Sequence, residues 1–255
     1  MKGHEAYSGI LAELYDLWAS QWMDYDTAAY QRAMQELPGR ALELGCGTGR
    51  LLLPYLRVGL PVEGLDISAD MLAICRAKAE QAGLTAVMYQ QKMQGFALPS
   101  AYTTIYVAAG SFGLLTTRDD VRATLQCCYQ HLEPGGQLLI ALAVPWDRMT
   151  QSRQPNWVVA GMTTRPQDGA TVMAHRAIRY DLVDQVSTTW LKYEIYHNNV
   201  LAETHQRIGI QRWYYPYEFR LLLEREGFHN ITVGATESGT PIADFGTEML
   251  FRARK

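Results

Sequence analysis

The chain has few cysteines, and they form no pattern that binds metal or builds a disulfide framework. Cys46, Cys75, Cys127 and Cys128 are the four cysteines, and no C-x-x-C pair occurs. The H-E-x-x-H and H-x-H patterns of metal sites are missing as well. We therefore expect reduced, structural cysteines and no bound metal.

The chain also lacks an excess of basic residues and long apolar runs. Its 23 Lys and Arg are outnumbered by 26 Asp and Glu, which gives a net charge of −3. Because nucleic-acid binding depends on Lys and Arg that neutralise phosphates, nucleic acid is not an expected partner. The apolar runs are shorter than a membrane-spanning helix requires, and the first residues carry no apolar core of a secretory signal. We expect a cytoplasmic protein without a membrane partner.

A glycine-rich run, Gly45-Cys46-Gly47-Thr48-Gly49, is the most informative stretch of the sequence. It follows a short apolar strand at residues 41–45 and precedes a helix expected over about residues 48–57. Strand, glycine turn and helix in this order are typical of nucleotide-binding units, since glycines let the backbone approach a ligand. The spacing is G-x-G-x-G, which differs from the dinucleotide fingerprint G-x-G-x-x-G, and the G-K-[ST] of a P-loop is missing.

Two acidic residues accompany this turn. Glu43 precedes the first glycine by two residues, and Asp66 ends a second apolar run at residues 61–66. A carboxylate at the end of a second strand is placed to accept two hydrogen bonds from a ribose diol. The combination predicts a ligand that contains a nucleoside.

Three sequence blocks resemble the class I S-adenosylmethionine (SAM)-dependent methyltransferases. They are residues 43–49, residues 64–68 with Met71-Leu72, and residues 132–138. The resemblance covers roughly residues 40–142 and implies SAM as the cofactor. A nicotinamide oxidoreductase is a second interpretation, which the glycine spacing disfavours.

Strand and helix patterns alternate over residues 40–142, which predicts a parallel sheet with helices on both faces. Together with the resemblance, this predicts an α/β fold: a Rossmann-like, doubly wound seven-stranded sheet with an N-terminal helical lid and an inserted antiparallel β-subdomain. The expected parts are a lid (1–38), a SAM-binding core (39–145), the inserted subdomain (146–213) and the last helix with closing strands (214–255).

The inserted part shows the alternation of a half-buried antiparallel sheet. Three strands are expected, at residues 173–182, 185–197 and 201–213. Residues 147–168 contain Pro155, Gly161 and Pro166, which are typical of turns, and are expected to be partly irregular. The resemblance implies that this subdomain forms either a roof over the acceptor or a contact in a homodimer.

The resemblance also implies which residues hold the cofactor. Glu43 and the glycines shape the methionine and ribose end, Asp66 binds the ribose hydroxyls, and Ile67 and Met93 enclose the adenine. The complete predicted set is Tyr7, Tyr15, Glu43, Gly45, Cys46, Gly47, Gly49, Asp66, Ile67, Met71, Met93, Gln94, Ala109 and Phe112.

Two positions depart from the family pattern. Lys92 stands where relatives often carry an Asp that accepts a hydrogen bond from the adenine amino group, and a lysine cannot accept one. Gln94 or a backbone carbonyl is the expected replacement. Residues 111–114 resemble a segment of the sugar N-methyltransferases, and Leu114 stands where that segment carries a functional histidine.

The function implied is methyl transfer from SAM to a small-molecule acceptor, at nitrogen rather than at oxygen or carbon. The six Trp and 15 Tyr favour an aromatic or amine acceptor only weakly. No catalytic residue is assigned, and the candidates are Tyr7, Tyr15, His175 and His205. A non-catalytic SAM-binding protein, with the inserted sheet used for assembly, is the alternative.

Overall fold

The computed structural model describes residues 7–22, 27–146, 155–235 and 248–255. The chain forms two compact units. The larger contains residues 5–144 and 214–255, and the smaller centres on residues 145–213. Among the helices of the described ranges, none is long and apolar enough to cross a membrane.

The larger unit is built on a seven-stranded sheet. Its strands are β1 (Ala41–Leu44), β2 (Val62–Asp66), β3 (Met88–Gln90), β4 (Tyr102–Val107), β5 (Leu132–Leu142), β10 (His229–Ala235) and β11 (Met249–Arg254). Its helices are α1 (Ile10–Trp22), α2 (Thr27–Glu36), α3 (Leu52–Arg57), α4 (Ala69–Gln81), α5 (Arg118–His131) and α6 (Pro216–Arg225), with a 3₁₀ turn at Ser111–Leu114.

The sheet order is β10-β11-β5-β4-β1-β2-β3. Strands β1 to β5 pair in parallel, and β11 pairs antiparallel with both β5 and β10. The order reverses between β1 and β4, and open α/β sheets bind ligands at such a switch point, beyond the carboxyl ends of the strands. The predicted Rossmann-like sheet is confirmed.

Local sequence sets the ends of the helices around this point. Ser68 caps α4 because its hydroxyl oxygen accepts the N–H of Met71 at 3.2 Å. Thr117 caps α5 in the same way, accepting the N–H of Asp120 at 3.1 Å. Each cap satisfies a donor that the first turn of a helix leaves unpaired. The Ser68 cap fixes the start of α4 two residues after Asp66.

The smaller unit is a four-stranded antiparallel sheet in which each strand pairs with the next one along the chain. The predicted antiparallel sheet is confirmed, but it has one strand more than the three expected. Its strands are β6 (Val158–Thr164), β7 (Thr171–Asp181), β8 (Val186–His197) and β9 (Val200–Arg212).

The extra strand β6 lies within the segment expected to be partly irregular. In the sequence, Gly161 indicates irregular structure. In the structure, the register of β6 on β7 shifts between Val159 and Gly161. A glycine at such an irregularity is compatible with an edge strand. The first part of that segment, residues 147–154, lies outside the described residues.

One further element boundary differs from expectation. Helix α3 begins at Leu52 rather than near residue 48, because the preceding residues form turns. Strand β5 begins at Leu132, and its residues Gly135 and Gly136 hydrogen-bond with the backbone of Lys255.

Candidate functional site

The glycine turn, residues 45–49, is held against strand β2. The N–H groups of its first two residues both donate to the carbonyl oxygen of Leu65, at 2.7 and 3.0 Å. Gly47 has a φ of +53°, which disfavours any residue with a Cβ. A Cβ at Gly47 would meet only the end of the Met71 side chain, at 3.9 Å. The turn therefore leaves room for a ligand beside Gly47.

The last glycine of the turn serves packing. A Cβ on Gly49 would stand 2.5 Å from Sγ of Cys75 and 2.9 Å from Cγ of Leu53. The N–H of Gly49 donates to the carbonyl of Cys46 at 2.9 Å. Gly49 was predicted to bind the cofactor, and its position adds a different reason for the glycine: it lets α4 approach the turn.

The side chain of Cys46 has a packing role rather than a chemical one. Its side chain is buried, and its Sγ fills the space that a side chain on Gly64 of β2 would need, 2.7 Å from that Cβ position. Burial raises the pKa of the Cys46 thiol well above its usual range. Because the thiolate is the reactive form, this cysteine is a packing residue.

Asp66, at the end of β2, joins the glycine turn to the start of α4. Its Oδ2 accepts the N–H of Gly47 at 2.9 Å, and its Oδ1 accepts the N–H of Ser68 at 2.8 Å. Burial raises the pKa of Asp66, and these N–H donors act in the opposite direction. Each carboxylate oxygen has a second acceptor position, so Asp66 is able to accept hydrogen bonds from a ribose diol as well.

Glu43 is buried in β1, directly opposite Tyr106 of β4 in the sheet register. The hydroxyl of Tyr106 donates to Oε2 of Glu43 at 3.1 Å. Burial raises the pKa of Glu43 to about 8, although the hydrogen bond from Tyr106 and the nearby Arg50 both lower it. The structure therefore places a carboxyl that favours its neutral form at pH 7 just before the glycine turn.

Apolar side chains flank the other end of the crevice. Ile67, immediately after Asp66, is 44% exposed although it is large and apolar. The methyl end of Met93 lies 3.9 Å from the position of a Cβ on Gly45. Met93 itself is half-buried, and accessible apolar side chains of this kind suit a flat ring such as adenine. Lys92 is exposed and Gln94 is half-buried in the same loop.

The N-terminal segment contacts these same loops. The ring of Tyr7 meets that of Tyr15 edge-on, with centroids 5.7 Å apart. The carbonyl of Tyr7 accepts the hydroxyl of Ser68, and the N–H of Gly9 donates to Oδ2 of Asp70 at 2.7 Å. Burial, followed by the neighbouring Tyr7, raises the pKa of Tyr15 to about 12. Tyr15 is therefore a neutral hydroxyl rather than a ready base.

Comparison with known proteins agrees with this geometry. A family model described as a methyltransferase domain matches residues 41–136. A dTDP-3-amino-3,6-dideoxy-alpha-D-glucopyranose N,N-dimethyltransferase of Streptomyces fradiae is 31% identical over 175 residues, 66% of each chain. The chain carries a methyltransferase domain of the class I SAM-dependent type. SAM is the cofactor of this family, and the assignment removes the nicotinamide interpretation.

Other members of the family differ in the atom that they methylate. A ubiquinone biosynthesis O-methyltransferase of Pectobacterium atrosepticum is 29% identical over 111 residues, 44% of this chain and 45% of the relative. The chain spans less than two thirds of the length of the curated relatives it matches. The CcbJ methyltransferase of Streptomyces caelestis has a similar fold, with a TM-score of 0.78 and 19% identity over 96% of this chain and 95% of that one.

The loop after β4 places Ser111 beside the glycine turn, although Ser111 is not in the predicted cofactor set. The Cβ and Oγ of Ser111 both lie 3.2 Å from the position of a Cβ on Gly45. Ala109 adopts a φ of +51°, a strained conformation of the kind that clusters at functional sites of enzymes. Phe112, a predicted cofactor residue, packs instead on Phe219 with ring centroids 5.2 Å apart. Phe112 is fully buried, so its side chain belongs to the core rather than to an open ligand surface.

The two candidate histidines of this chain lie in the smaller unit and on opposite faces of its sheet. His175 is opposite Lys192 and His205 is opposite Tyr193. Residues 192 and 193 are consecutive in β8, so their side chains point to opposite faces. One acceptor on one face of the sheet therefore contacts at most one of the two histidines.

Each histidine also has a carboxylate partner. Nε2 of His175 lies 2.9 Å from Oε2 of Glu194, and Nε2 of His205 lies 2.9 Å from Oε2 of Glu203. A carboxylate fixes the orientation and tautomer of an imidazole. Over the described ranges, no three or more His, Cys, Asp or Glu side chains are grouped to hold a metal ion.

Proposed function

We propose that this protein transfers the methyl group of SAM to a nitrogen atom of a small-molecule acceptor. The observation that carries the proposal is the joining of Asp66 to the glycine turn at Gly47, with open space above it. The relative that methylates an amino sugar matches a longer part of this chain than the relative that methylates oxygen. An amino sugar, free or attached to a nucleoside diphosphate, is the first acceptor class to test.

Different residues of the site bind different parts of the cofactor. Asp66 accepts hydrogen bonds from the ribose hydroxyls, and Ile67 and Met93 enclose the adenine ring. Glu43 provides a buried carboxyl near the methionine end, which ionises when the positively charged SAM binds. Tyr7 and Tyr15 cover the turn and exclude water, which keeps the electrostatic interactions inside strong.

SAM, when bound, supplies a methyl group on a positively charged sulfur. Bound SAM would supply this methyl group to an acceptor nitrogen in line with the C–S bond, which would break as the N–C bond formed and leave S-adenosylhomocysteine. Alignment of the two reacting atoms is the main contribution a protein makes to such a displacement. The N-methylated product then gives its extra proton to water.

The acceptor is expected to react as a neutral amine. Leu114 occupies the position of the histidine found in sugar N-methyltransferases, and Tyr15 keeps its proton because of its raised pKa. A neutral amine needs little help from a general base, whereas an alcohol needs more. The site described here therefore suits nitrogen better than oxygen.

Turnover with an acceptor panel tests the proposal. The panel contains amino sugars with and without a nucleoside diphosphate, a simple amine and a phenol, and S-adenosylhomocysteine formation is measured. With two amines of different pKa, the pH profile of kcat/KM is expected to move with the pKa of the acceptor. SAM binding without methylation of any amine in the panel would contradict the proposal and favour the non-catalytic alternative.

A further inference from the structure

Both loops of the proposed cofactor site are attached to one stretch of chain, residues 7–16. The loop after β2 is attached through the hydroxyl of Ser68, which donates to the carbonyl of Tyr7. It is attached again through Asp70, which accepts the N–H of Gly9 at 2.7 Å. The glycine turn is attached to the same stretch farther along, at Asp16.

Asp16 of α1 makes two contacts with charged or polar partners at the turn. The hydroxyl of Thr48 donates to Oδ1 of Asp16 at 2.6 Å. Nζ of Lys78, on α4, lies 2.5 Å from Oδ2 of Asp16. Lys78 also donates to the carbonyl of Thr48 at 3.2 Å. The three residues therefore form a closed set of contacts between α1, α4 and the glycine turn.

Thr48 is the member through which a ligand would act. It is fully buried and follows Gly47 directly, whose N–H donates to the proposed ribose ligand Asp66. If a cofactor shifts Asp66 or the glycine turn when it binds, it therefore also shifts the Thr48 hydroxyl. That hydroxyl is the group that Asp16 binds.

We propose that Asp16 is a positioning residue that couples cofactor binding to the placement of α1, acting through Thr48 and Lys78. The inference rests on the proposed function, since it takes the cofactor to be SAM bound at the turn. By linkage, if SAM favours the docked helix, the docked helix favours SAM by the same factor. Asp16 touches neither the cofactor nor the acceptor in this scheme.

The exposure of the pair suits a contact that opens and closes. The side chains of Asp16 and Lys78 are 38% and 35% exposed. Solvent and salt weaken an ion pair at that exposure, so its contribution is modest and reversible. The coupling is accordingly expected to decrease as salt is added.

Limited proteolysis with chymotrypsin, with and without saturating SAM, tests the coupling. Cleavage after Tyr15 is followed by mass spectrometry, and the Kd for SAM is measured by calorimetry. SAM is expected to slow this cleavage about tenfold in the parent, a typical allosteric coupling. The ratio to compare is the cleavage rate without SAM divided by the rate with SAM. In Asp16→Asn and in Lys78→Met this ratio is expected to fall to about threefold or less, and the affinity for SAM is expected to weaken by a matching factor. Glu80→Gln, an exposed change on the same helix as Lys78, is the control.

The ratio separates coupling from mere support of the helix. If Asp16 only stabilised α1, each variant would be cleaved faster with and without SAM, and the ratio would stay at the parent value. That result would overturn the inference. The double variant Asp16→Asn/Lys78→Met is expected to lose no more than either single variant, because the pair acts as one unit. A parent that binds no SAM would refute the proposed function itself, whereas a parent that binds SAM without slower cleavage would refute only the coupling.

Discussion

The buried carboxyl of Glu43 makes the stability of this protein depend on pH, and one substitution removes this dependence. Its pKa is about 8 in the folded protein, against a reference of 4.5. Above pH 4.5 the unfolded chain therefore gives up this proton while the folded protein keeps it. Unfolding releases a proton over this window, so the free energy of unfolding falls as pH rises toward 8.

The size of the effect follows from the pKa difference. Each pH unit well inside the window costs about 1.4 kcal/mol. The slope falls near pH 8, where the folded carboxyl is itself half ionised, so raising the pH from about 6 to about 8 costs about 2 kcal/mol. Glu43→Gln keeps the shape and an oxygen that accepts the Tyr106 hydroxyl, but it has no proton to lose. We expect the variant to gain about 2 kcal/mol relative to the parent between these pH values.

Urea unfolding at several pH values measures this difference. Glu224→Gln changes one carboxylate on the exposed side of α6 and is the control for the loss of a surface charge. Tyr106→Phe removes the donor that lowers the pKa of Glu43, so its pH dependence should extend to higher pH. If the free energy of unfolding changed with pH in the same way for the parent and for Glu43→Gln, the reasoning would be refuted.

Three further predictions concern the same site. Asp66→Ala removes a charged hydrogen-bond acceptor and should weaken SAM binding at least about tenfold by calorimetry; unchanged affinity would end the ribose assignment. Gly49→Ala should lower the free energy of unfolding by about 2–4 kcal/mol, since it adds a clash with Cys75 to the cost of a φ of +83°. Gly59→Ala, with a φ of +79° and nothing within 4 Å, should lose only about 1 kcal/mol, and equal losses would contradict the packing role. SAM binding near pH 7 should release a proton, detected by calorimetry in two buffers, and Glu43→Gln should release none.

The sequence predicted the sheet because its signals are local. A strand, a glycine turn and a helix follow one another within 17 residues, from Ala41 to Arg57, and each leaves its own periodicity or punctuation. The same reliance on local signals missed β6. Gly161 was interpreted as a breaker, whereas the edge strand accommodates it at a change of register.

The contacts that complete the site could not be predicted, because they join distant parts of the chain. Glu43 meets Tyr106 only through the pairing of β1 with β4. Asp16 reaches Thr48 across 32 positions, and in the sequence it is one acid among several near the aromatic residues of α1. Ser111 had a weak signal, since it follows β4 at the switch point, but no motif singled out its hydroxyl.

The charged groups around the glycine turn are suited to different tasks by their burial. Asp16 and Lys78 are about one third exposed, so their pairing costs little to break and fits a moving contact. Glu43 is buried and favours its neutral form, so its ionisation requires a nearby positive charge. Under the proposed function, the cation that meets this need is SAM itself. Cofactor affinity is then obtained at the expense of the stability of the free protein, and Glu43→Gln should stabilise the free protein at pH 8 while weakening SAM binding at the same pH.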